Sequence, residues 1–331
     1  MIFKGLLIKK NEDETISCNI EELKINNNEE LDTLVEISCS TVNYKDSLAI
    51  SGKPGIIRTY PMVPGIDFSG KVVDTKSSLF KKGDKVILNG FGVGEKYWGG
   101  LSQFSKVKAK WLIHKPSNLS DSSCMSLGTA GYTAMLCILE ILNNKIRPND
   151  GRVLVTGATG GVGSFAVMIL SKLGFSVVAA TGKANQKKYL SELGAVEIIP
   201  RDIFSEPPKA LEKEKWVGVI ETVGSLTLSH ACASTKYGGV VASCGMAQGM
   251  KFTTSVAPFI LRNIKLSGID SVYRSINERK EAWKKLSETL DEDSIKLISS
   301  TIKLDEVTAH AKKMLNQNTV GRVIVDIKNS L

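Results

Sequence analysis

Between residues 153 and 170 the sequence reads Val-Leu-Val-Thr-Gly157-Ala-Thr-Gly160-Gly161-Val162-Gly163-Ser164-Phe-Ala-Val-Met-Ile-Leu: an apolar strand, a glycine turn, then an apolar helical run. Each glycine has a physical use. Gly157 permits a tight turn, Gly160 lets the backbone approach a phosphate, and Gly163 allows a helix to pack closely on the strand before it. The helix start at Gly161, Val162, Gly163 and Ser164 supplies amide donors and a partial positive charge, which suits a dinucleotide pyrophosphate. Glycines also mark ordinary turns, so the dinucleotide reading rests on the strand and helix that flank them.

The next strand ends at Thr181-Gly182-Lys183-Ala-Asn185. An acid at this point would accept a hydrogen bond from the 2′-hydroxyl of NAD, and none is there. Thr181, Gly182, Lys183 and Asn185 instead offer a hydroxyl, an open backbone, a cation and an amide, a set matched to the 2′-phosphate of NADPH. A solvated loop lysine is the plain alternative for Lys183. Two further loops, Thr222-Val223-Gly224-Ser225 and Cys244-Gly245-Met246, follow apolar runs and carry small residues suited to a backbone passing close to ribose and nicotinamide. Ordinary strand-to-helix turns would look the same. In the first third of the chain, Asn43-Tyr44-Lys45-Asp46 concentrates polar groups after a buried strand, and Pro61-Met-Val-Pro64-Gly65-Ile-Asp67 is a rigid turn. Structural turns are an equal rival for both.

These groups need two kinds of scaffold. Up to about residue 125, short strands broken by glycine and proline turns (Thr33–Cys39, Gly70–Val73, Lys85–Leu88, Ser102–Val107) predict a β-rich, barrel-like domain, with Asn26-Asn-Asn-Glu-Glu30 as a polar loop. From residue 126, strands alternate with helices of ten or more residues, which predicts βαβ units and a parallel sheet. The expected strands are Arg152–Thr156, Ser176–Thr181, Val196–Ile199, Trp216–Glu221, Gly239–Ser243 and Ile264–Ile269. Six parallel strands complete a doubly wound sheet. After a helix at Asn277–Leu290, the strand Ser300–Lys303, the helix Asp305–Leu315 and the strand Arg322–Asp326 have no room in that sheet. They are expected to rejoin the first domain, giving residues 1–125 and 297–331 as one domain and 126–296 as an insertion.

At 331 residues the chain suits two cores better than one, and 42% hydrophobic with 23% charged residues is ordinary for a globular protein. Six scattered cysteines lack a CxxC pair or a histidine cluster and read as buried free thiols, not disulfides or metal ligands. The net charge of +9 is spread along the chain and interleaved with acids, as in Glu278-Arg-Lys-Glu-Ala-Trp-Lys-Lys285. That describes solvated helix faces and gives no basic stripe for nucleic acid, while the surplus would attract anionic ligands. Residues 1–10 read as a first strand, not a signal peptide, and no later stretch approaches the ~20 consecutive apolar residues that span a bilayer. A cytoplasmic protein, or one imported into an organelle matrix, with no membrane partner is the expectation.

With both domains in view, the chain resembles the medium-chain dehydrogenase/reductase superfamily, and within it the zinc-free acrylyl-CoA reductases, also known as YhdH-type quinone oxidoreductases. The likeness is carried by Asn43–Asp46, Gly52–Arg58, Pro64–Asp67, Gly92–Glu95 with Trp98–Leu101, Gly128–Leu136, Pro258–Asn263 and Gly268–Ser271. It implies a GroES-like β-barrel around the catalytic cleft, an inserted Rossmann domain, and a homodimer joined through the Rossmann sheet edge. It also implies that Tyr44, Asp46, Thr129, Asn263 and Arg274 approach the cofactor. Zinc alcohol dehydrogenases carry a Cys near the Asn43 position, a His-Glu pair at Ile66-Asp67 and four cysteines in the region of Gly90–Leu101. None is present, and His114, His230 and His310 are the only histidines, so no Zn²⁺ site is expected.

Without a Lewis acid for alcohol chemistry, the resemblance points to NADPH-dependent reduction of an activated C=C bond, acrylyl-CoA to propanoyl-CoA first among them. Hydride would reach the β-carbon, and the α-carbon would take a proton from Tyr44 or water. Backbone amides or Asn43 would stabilise the enolate oxygen. Reduction of a quinone or an enal is the alternative within the same chemistry. A non-catalytic NADPH-binding protein of the crystallin or RNA-binding kind is the alternative outside it.

Overall fold

A computed structural model describes residues 1–25 and 28–330; Asn26 and Asn27 of the expected polar loop, and Leu331, lie outside the described residues. The chain divides into two units. Met1–Thr129, Ser271–Ser287 and Asp291–Leu331 form the first; Ala130–Asp270 and Glu288–Leu290 form the second.

The first unit opens with β1 (Ile2–Lys10), the expected first strand, paired antiparallel with β2 (Ile16–Lys24). β2 was not expected, although Ile16, Cys18 and Ile20 alternate with Ser17, Asn19 and Glu21 as a half-buried strand does. Then come β3 (Thr33–Thr41), a short helix α1 (Tyr44–Ile50), β4 (Asp67–Thr75), β5 (Lys85–Asn89), β6 (Phe104–Val107) and β7 (Ile113–His114). β3 is the hub. It pairs antiparallel with β4 along its length and with β6 over Thr33–Glu36. Alternate residues Thr33, Val35, Ile37 and Cys39 are buried, as the pleat requires, and Val35 and Ile37 pack with Phe68, Val72, Val86 and Leu88.

α2 (Asp121–Asn143) breaks its helical geometry at Gly128 (φ 45°, ψ −150°), one residue before the first unit ends. Its best 18-residue window has a mean hydropathy of 1.5, so among the described residues this helix is long and apolar enough to cross a membrane. The expectation that no stretch approaches that length is corrected here. Interspersed Gly, Ser, Thr and Tyr conceal the apolar run, and 78% of the window is buried inside the protein.

The second unit carries β8 (Arg152–Val155), α3 (Gly161–Lys172), β9 (Ser176–Thr181), α4 (Lys187–Glu192), β10 (Ala195–Pro200), β11 (Trp216–Glu221), α5 (Ser225–Ser234), β12 (Thr235–Ser243), α6 (Ala257–Leu261) and β13 (Lys265–Gly268). The strands lie in the order β10-β9-β8-β11-β12-β13, every neighbouring pair parallel. This is the doubly wound sheet, and its order reverses between β8 and β11. Val153–Val155, Val177–Ala180 and Val219–Ile220 are fully or almost fully buried, as strands covered on both faces must be.

The chain then returns through α7 (Ile276–Thr289), α8 (Glu292–Lys296), β14 (Ser299–Ile302), α9 (Val307–Leu315) and β15 (Arg322–Asp326). β15 pairs parallel with β14 and antiparallel with β3, over Cys39–Thr41, so the last strands do rejoin the first sheet. The return comes earlier than residue 297. Trp283 of α7 is buried and donates to Asn89 Oδ1 (3.1 Å), and the Arg279 guanidinium lies 4.5 Å from the centre of the Phe91 ring. An amphipathic pattern gives α7 an apolar face but does not say which body that face meets.

Candidate functional site

The second unit presents its candidate site at the carboxyl ends of β8, β9, β11 and β12, where the reversed strand order leaves a crevice. After β8 the backbone turns at Gly157 (φ 56°); a Cβ there would strike Thr222 Oγ1, and one on Gly163 would strike Gly157 O. Gly160 is less crowded: a Cβ there would meet a single neighbour, Gly157 O at 3.3 Å, which would have to give by a few tenths of an ångström. Gly160 is also the N-cap of α3, and no side chain caps the helix. The first-turn amides of Gly161, Val162 and Gly163 therefore start a helix that no N-cap side chain closes among the described residues. Ser164 is an exception to the expected set. Its hydroxyl donates to Ala158 O (3.2 Å) and accepts from Tyr189 Oη (2.9 Å), so it works inside the fold.

At the end of β9, Thr181 Oγ1 shares a hydrogen bond with Thr159 Oγ1 (3.1 Å) and accepts from the Lys183 amide (3.0 Å). A Cβ on Gly182 would lie 2.9 Å from Arg201 Cζ, so the guanidinium of Arg201, just past β10, rests against that glycine. Lys183 is half-buried, and burial lowers its ammonium pKa; Asn185 is exposed. Gly182, Lys183 and Arg201 thus form a corner with two cations. Arg201 was not expected, because only the pairing of β10 with β9 brings it beside Gly182.

The two loops after β11 and β12 are held by Glu221. This buried carboxylate accepts from the amides of Val223 (2.8 Å) and Gly224 (2.9 Å) and from Thr156 Oγ1 (3.2 Å). Burial raises its pKa, against the opposing pull of those amides. Thr222 is tied to Thr156 through both its amide and its hydroxyl, 2.9 Å each. Ser225 follows Gly224 with φ 51° and starts α5. A Cβ on Gly245 would run into Thr222 O, so the two loops touch through backbone. The Cys244 amide donates to Glu221 O (2.9 Å), leaving its half-buried thiol facing the same carbonyl. All six cysteines are free.

Asn263 sits two residues before β13, and the neighbouring Arg262 carbonyl accepts from Gly238 near the start of β12 (2.8 Å). In a parallel sheet that is the amino edge, opposite the carboxyl ends where the other residues gather.

In the first unit the expected residues surround the start of α1. Tyr44 is its first residue and is 47% exposed. Asn43 and Asp46 are buried. Asp46 accepts from the amides of Asn43 (2.8 Å), Gly65 (3.1 Å) and Ile66 (3.0 Å), capping α1 and fixing the 64–66 turn. Burial pushes its carboxyl up to about 6. The Asn43 amide donates to Asp46 Oδ2 (3.2 Å) and Asp67 Oδ2 (2.9 Å), and its Oδ1 accepts from Arg322 Nη1 (3.0 Å). Its side-chain nitrogen thus has two carboxylate partners. Thr129 is likewise engaged, its amide (2.7 Å) and hydroxyl both donating to Asp67. Arg274 pairs with Glu278 (2.7 Å) ahead of α7.

Among the described residues no three His, Cys, Asp or Glu side chains come together as a metal-ligand set, so the donors do not fit a zinc ion. Comparison with known proteins agrees on the architecture. Residues 29–117 match the family described as alcohol dehydrogenase GroES-like domain, and residues 161–290 the family described as zinc-binding dehydrogenase. The chain is 43% identical, over 98% of its length and 99% of the relative's, to the probable acrylyl-CoA reductase AcuI of Escherichia coli. It is 38% identical to the putative quinone oxidoreductase YhfP of Bacillus subtilis, again over 98% of this chain and 99% of the relative. The crystal structure of the yhdH oxidoreductase from Salmonella enterica in complex with NADP superposes with a TM-score of 0.96 at 42% identity, covering 98% of this chain and all of that one. This chain therefore belongs to the zinc-free acrylyl-CoA reductase and YhdH-type quinone oxidoreductase family of the medium-chain dehydrogenases/reductases.

Proposed function

We propose that this chain is an NADPH-dependent reductase of activated C=C bonds, with acrylyl-CoA as substrate and propanoyl-CoA as product. The observation that carries the cofactor choice is the end of β9, where the Arg201 guanidinium rests against Gly182, Lys183 follows, and the segment 181–185 holds no acid. A 2′-phosphate would gain charge-assisted hydrogen bonds there, and Arg offers a fork for it. The missing side chain of Gly160 and the uncapped start of α3 leave room for a pyrophosphate. When bound, reduced nicotinamide supplies a hydride to the β-carbon of the enoyl thioester. The residues around it have narrower tasks. The 222–225 and 244–245 loops bound the ribose through backbone, Glu221 keeps them in place, and Tyr44 delivers the proton to the α-carbon.

The E. coli relative's name supports an acyl-CoA substrate, while the B. subtilis relative's name favours a quinone. Steady-state kcat/KM for acrylyl-CoA, benzoquinone and a simple enal, all with NADPH, separates the readings; the thioester is expected to lead. Lys183→Ala combined with Arg201→Ala is expected to raise KM for NADPH by about a hundredfold, two charge-assisted contacts at ~1.5 kcal/mol each, and to leave KM for NADH within twofold. An equal effect on both cofactors would refute the 2′-phosphate assignment.

The partner is a second copy of this chain. Among the described residues β13 closes one edge of the second unit's sheet with β12 as its strand neighbour, and Val256, Ile260 and Leu261 ahead of it are exposed. Such an edge with apolar flanks suits strand addition across a twofold axis. Ile260→Glu is expected to lower the mass measured by light scattering from two chains to one. Six free cysteines fit the reducing cytoplasm.

A further inference from the structure

On the outer face of the first unit's sheet lies a cavity of about 270 Å³ that the chemistry above does not use. Its floor is apolar. Thr33, Val35 and Ile37 of β3 are buried inward, so Leu34 faces out, with Lys106 of β6 as its cross-strand partner. Phe104, two residues before Lys106 on the same face of β6, meets Phe3 of β1 edge to face, the ring centres 5.7 Å apart. Tyr60, Tyr97 and Trp98 line the cavity above this floor, and the Trp98 indole donates to Pro61 O (3.2 Å), next to Tyr60. Two cations complete the lining. Lys106 Nζ donates to Asn28 O (3.2 Å), and Lys96 Nζ stands 5.4 Å from the centre of the Tyr97 ring. Among the described residues no Asp or Glu lines the cavity. The acids nearby already have partners, Glu30 in Lys108 (2.9 Å) and Glu95 in Lys45 (2.8 Å). A short path leads from here to the start of α1: Lys96 follows Glu95, and Glu95 accepts from Lys45, the residue after Tyr44.

We propose that this cavity binds the nucleotide end of the acyl-CoA substrate, its 3′-phosphorylated ADP. Adenine lies against Tyr60 and Trp98, the phosphates meet Lys96 and Lys106, and the pantetheine arm runs past Glu95 and Lys45 to Tyr44. The inference rests on the acyl-CoA reading above and names the part of the protein that recognises the carrier. Aromatic faces over an apolar floor suit a purine, which stacks on them whatever its edge pattern. Lysines without a carboxylate suit phosphate. The volume falls just under the roughly 300–1,000 Å³ of whole-ligand sites, which fits one ring system with its phosphates at the mouth. A benzoquinone or a simple enal has neither part and gains nothing from the cavity.

The test compares acrylyl-CoA with acrylyl-pantetheine, which keeps the thioester and lacks the nucleotide, each with NADPH. The parent is expected to show a kcat/KM about tenfold or more higher for acrylyl-CoA. Lys96→Gln combined with Lys106→Gln is expected to lower that value about tenfold, and to leave kcat/KM for acrylyl-pantetheine and KM for NADPH within about twofold. Tyr60→Ala is expected to lower kcat/KM for acrylyl-CoA alone, about fivefold, through loss of one stacking face. Equal losses on both thioesters, or a matching rise in KM for NADPH, would make the lysines a general influence and overturn the site. A preference for acrylyl-CoA that survives in the lysine variant places the nucleotide elsewhere, and the site falls while the acyl-CoA reading stands. A parent that turns over both thioesters equally recognises no nucleotide, with the same result. A parent that reduces neither thioester overturns the acyl-CoA reading and the site with it. If the lysine variant does not fold, Tyr60→Ala decides in its place, and an unchanged preference there overturns the site.

Discussion

At the carboxyl ends of β8, β11 and β12 the second unit offers backbone: glycine turns, loop amides, and one carboxylate, Glu221, that holds them. Around α1 the first unit offers side chains, with Asn43, Asp46, Asp67, Thr129 and Arg322 bonded into one buried group and Tyr44 at its edge. The two constructions fail differently. Where backbone touches backbone, an added methyl has nowhere to go. Where side chains pair, the loss of one partner strands the others, and the damage depends on what replaces it.

The sharpest test of that contrast is Gly245→Ala. Its methyl meets Thr222 O, a backbone atom, so a loss of about 3 kcal/mol or more in urea unfolding is expected. Gly160→Ala meets only Gly157 O, at 3.3 Å, and should stay within about 1 kcal/mol of the parent while weakening NADPH binding. Comparable losses in the two variants would break the picture of one crowded and one less crowded glycine. Next in size, Glu221→Ala leaves two loop amides and Thr156 without their acceptor and should cost about 2 kcal/mol, with Glu221→Gln milder because one oxygen remains.

Asp46 tests the side-chain region by pH. Its folded carboxyl is pushed up to about 6 from an ordinary 3.8, so the folded protein holds this proton more tightly than the unfolded chain does. The associated stability is fully present below about pH 4 and is lost as pH rises through about 6. Asp46→Asn should therefore flatten the change in thermal midpoint between pH 4 and 7; an unchanged slope would mean that other groups set it. The smallest effect belongs to neither region. The exposed pair Lys9–Glu21 (2.6 Å) lies away from both, and Glu21→Gln should move stability by no more than about 0.5 kcal/mol.

The same contrast explains what the sequence reveals. Gly157, Gly160 and Gly163 act through local geometry, so their spacing is visible in the chain, and Ser176–Thr181 and Trp216–Glu221 form the expected strands to the residue. Arg201 escapes notice because it reaches Gly182 only through strand pairing. Asn263 lies at the amino edge, which only the polarity of a parallel sheet reveals. The Asn43–Arg322 bond spans 279 positions, and no local pattern announces it. The alternation of Ile16, Cys18 and Ile20 with polar residues made β2 legible though it went unread, whereas the short helix α1 is too brief to show a period.

The strand arrangement also fixes an order of events during synthesis. Thr41 donates to Val323 O, 282 residues further along, so β3 must wait for nearly the whole chain before β15 can lie beside it. The second unit has no such delay, as its sheet is complete by Gly268. A ribosome making this chain presents a finished nucleotide-type sheet while the first unit still carries an open strand edge and carboxylates without their guanidinium. Closing a loop of that length is slow and leaves the edge exposed to wrong partners. The first unit is therefore the one that a folding helper would shield.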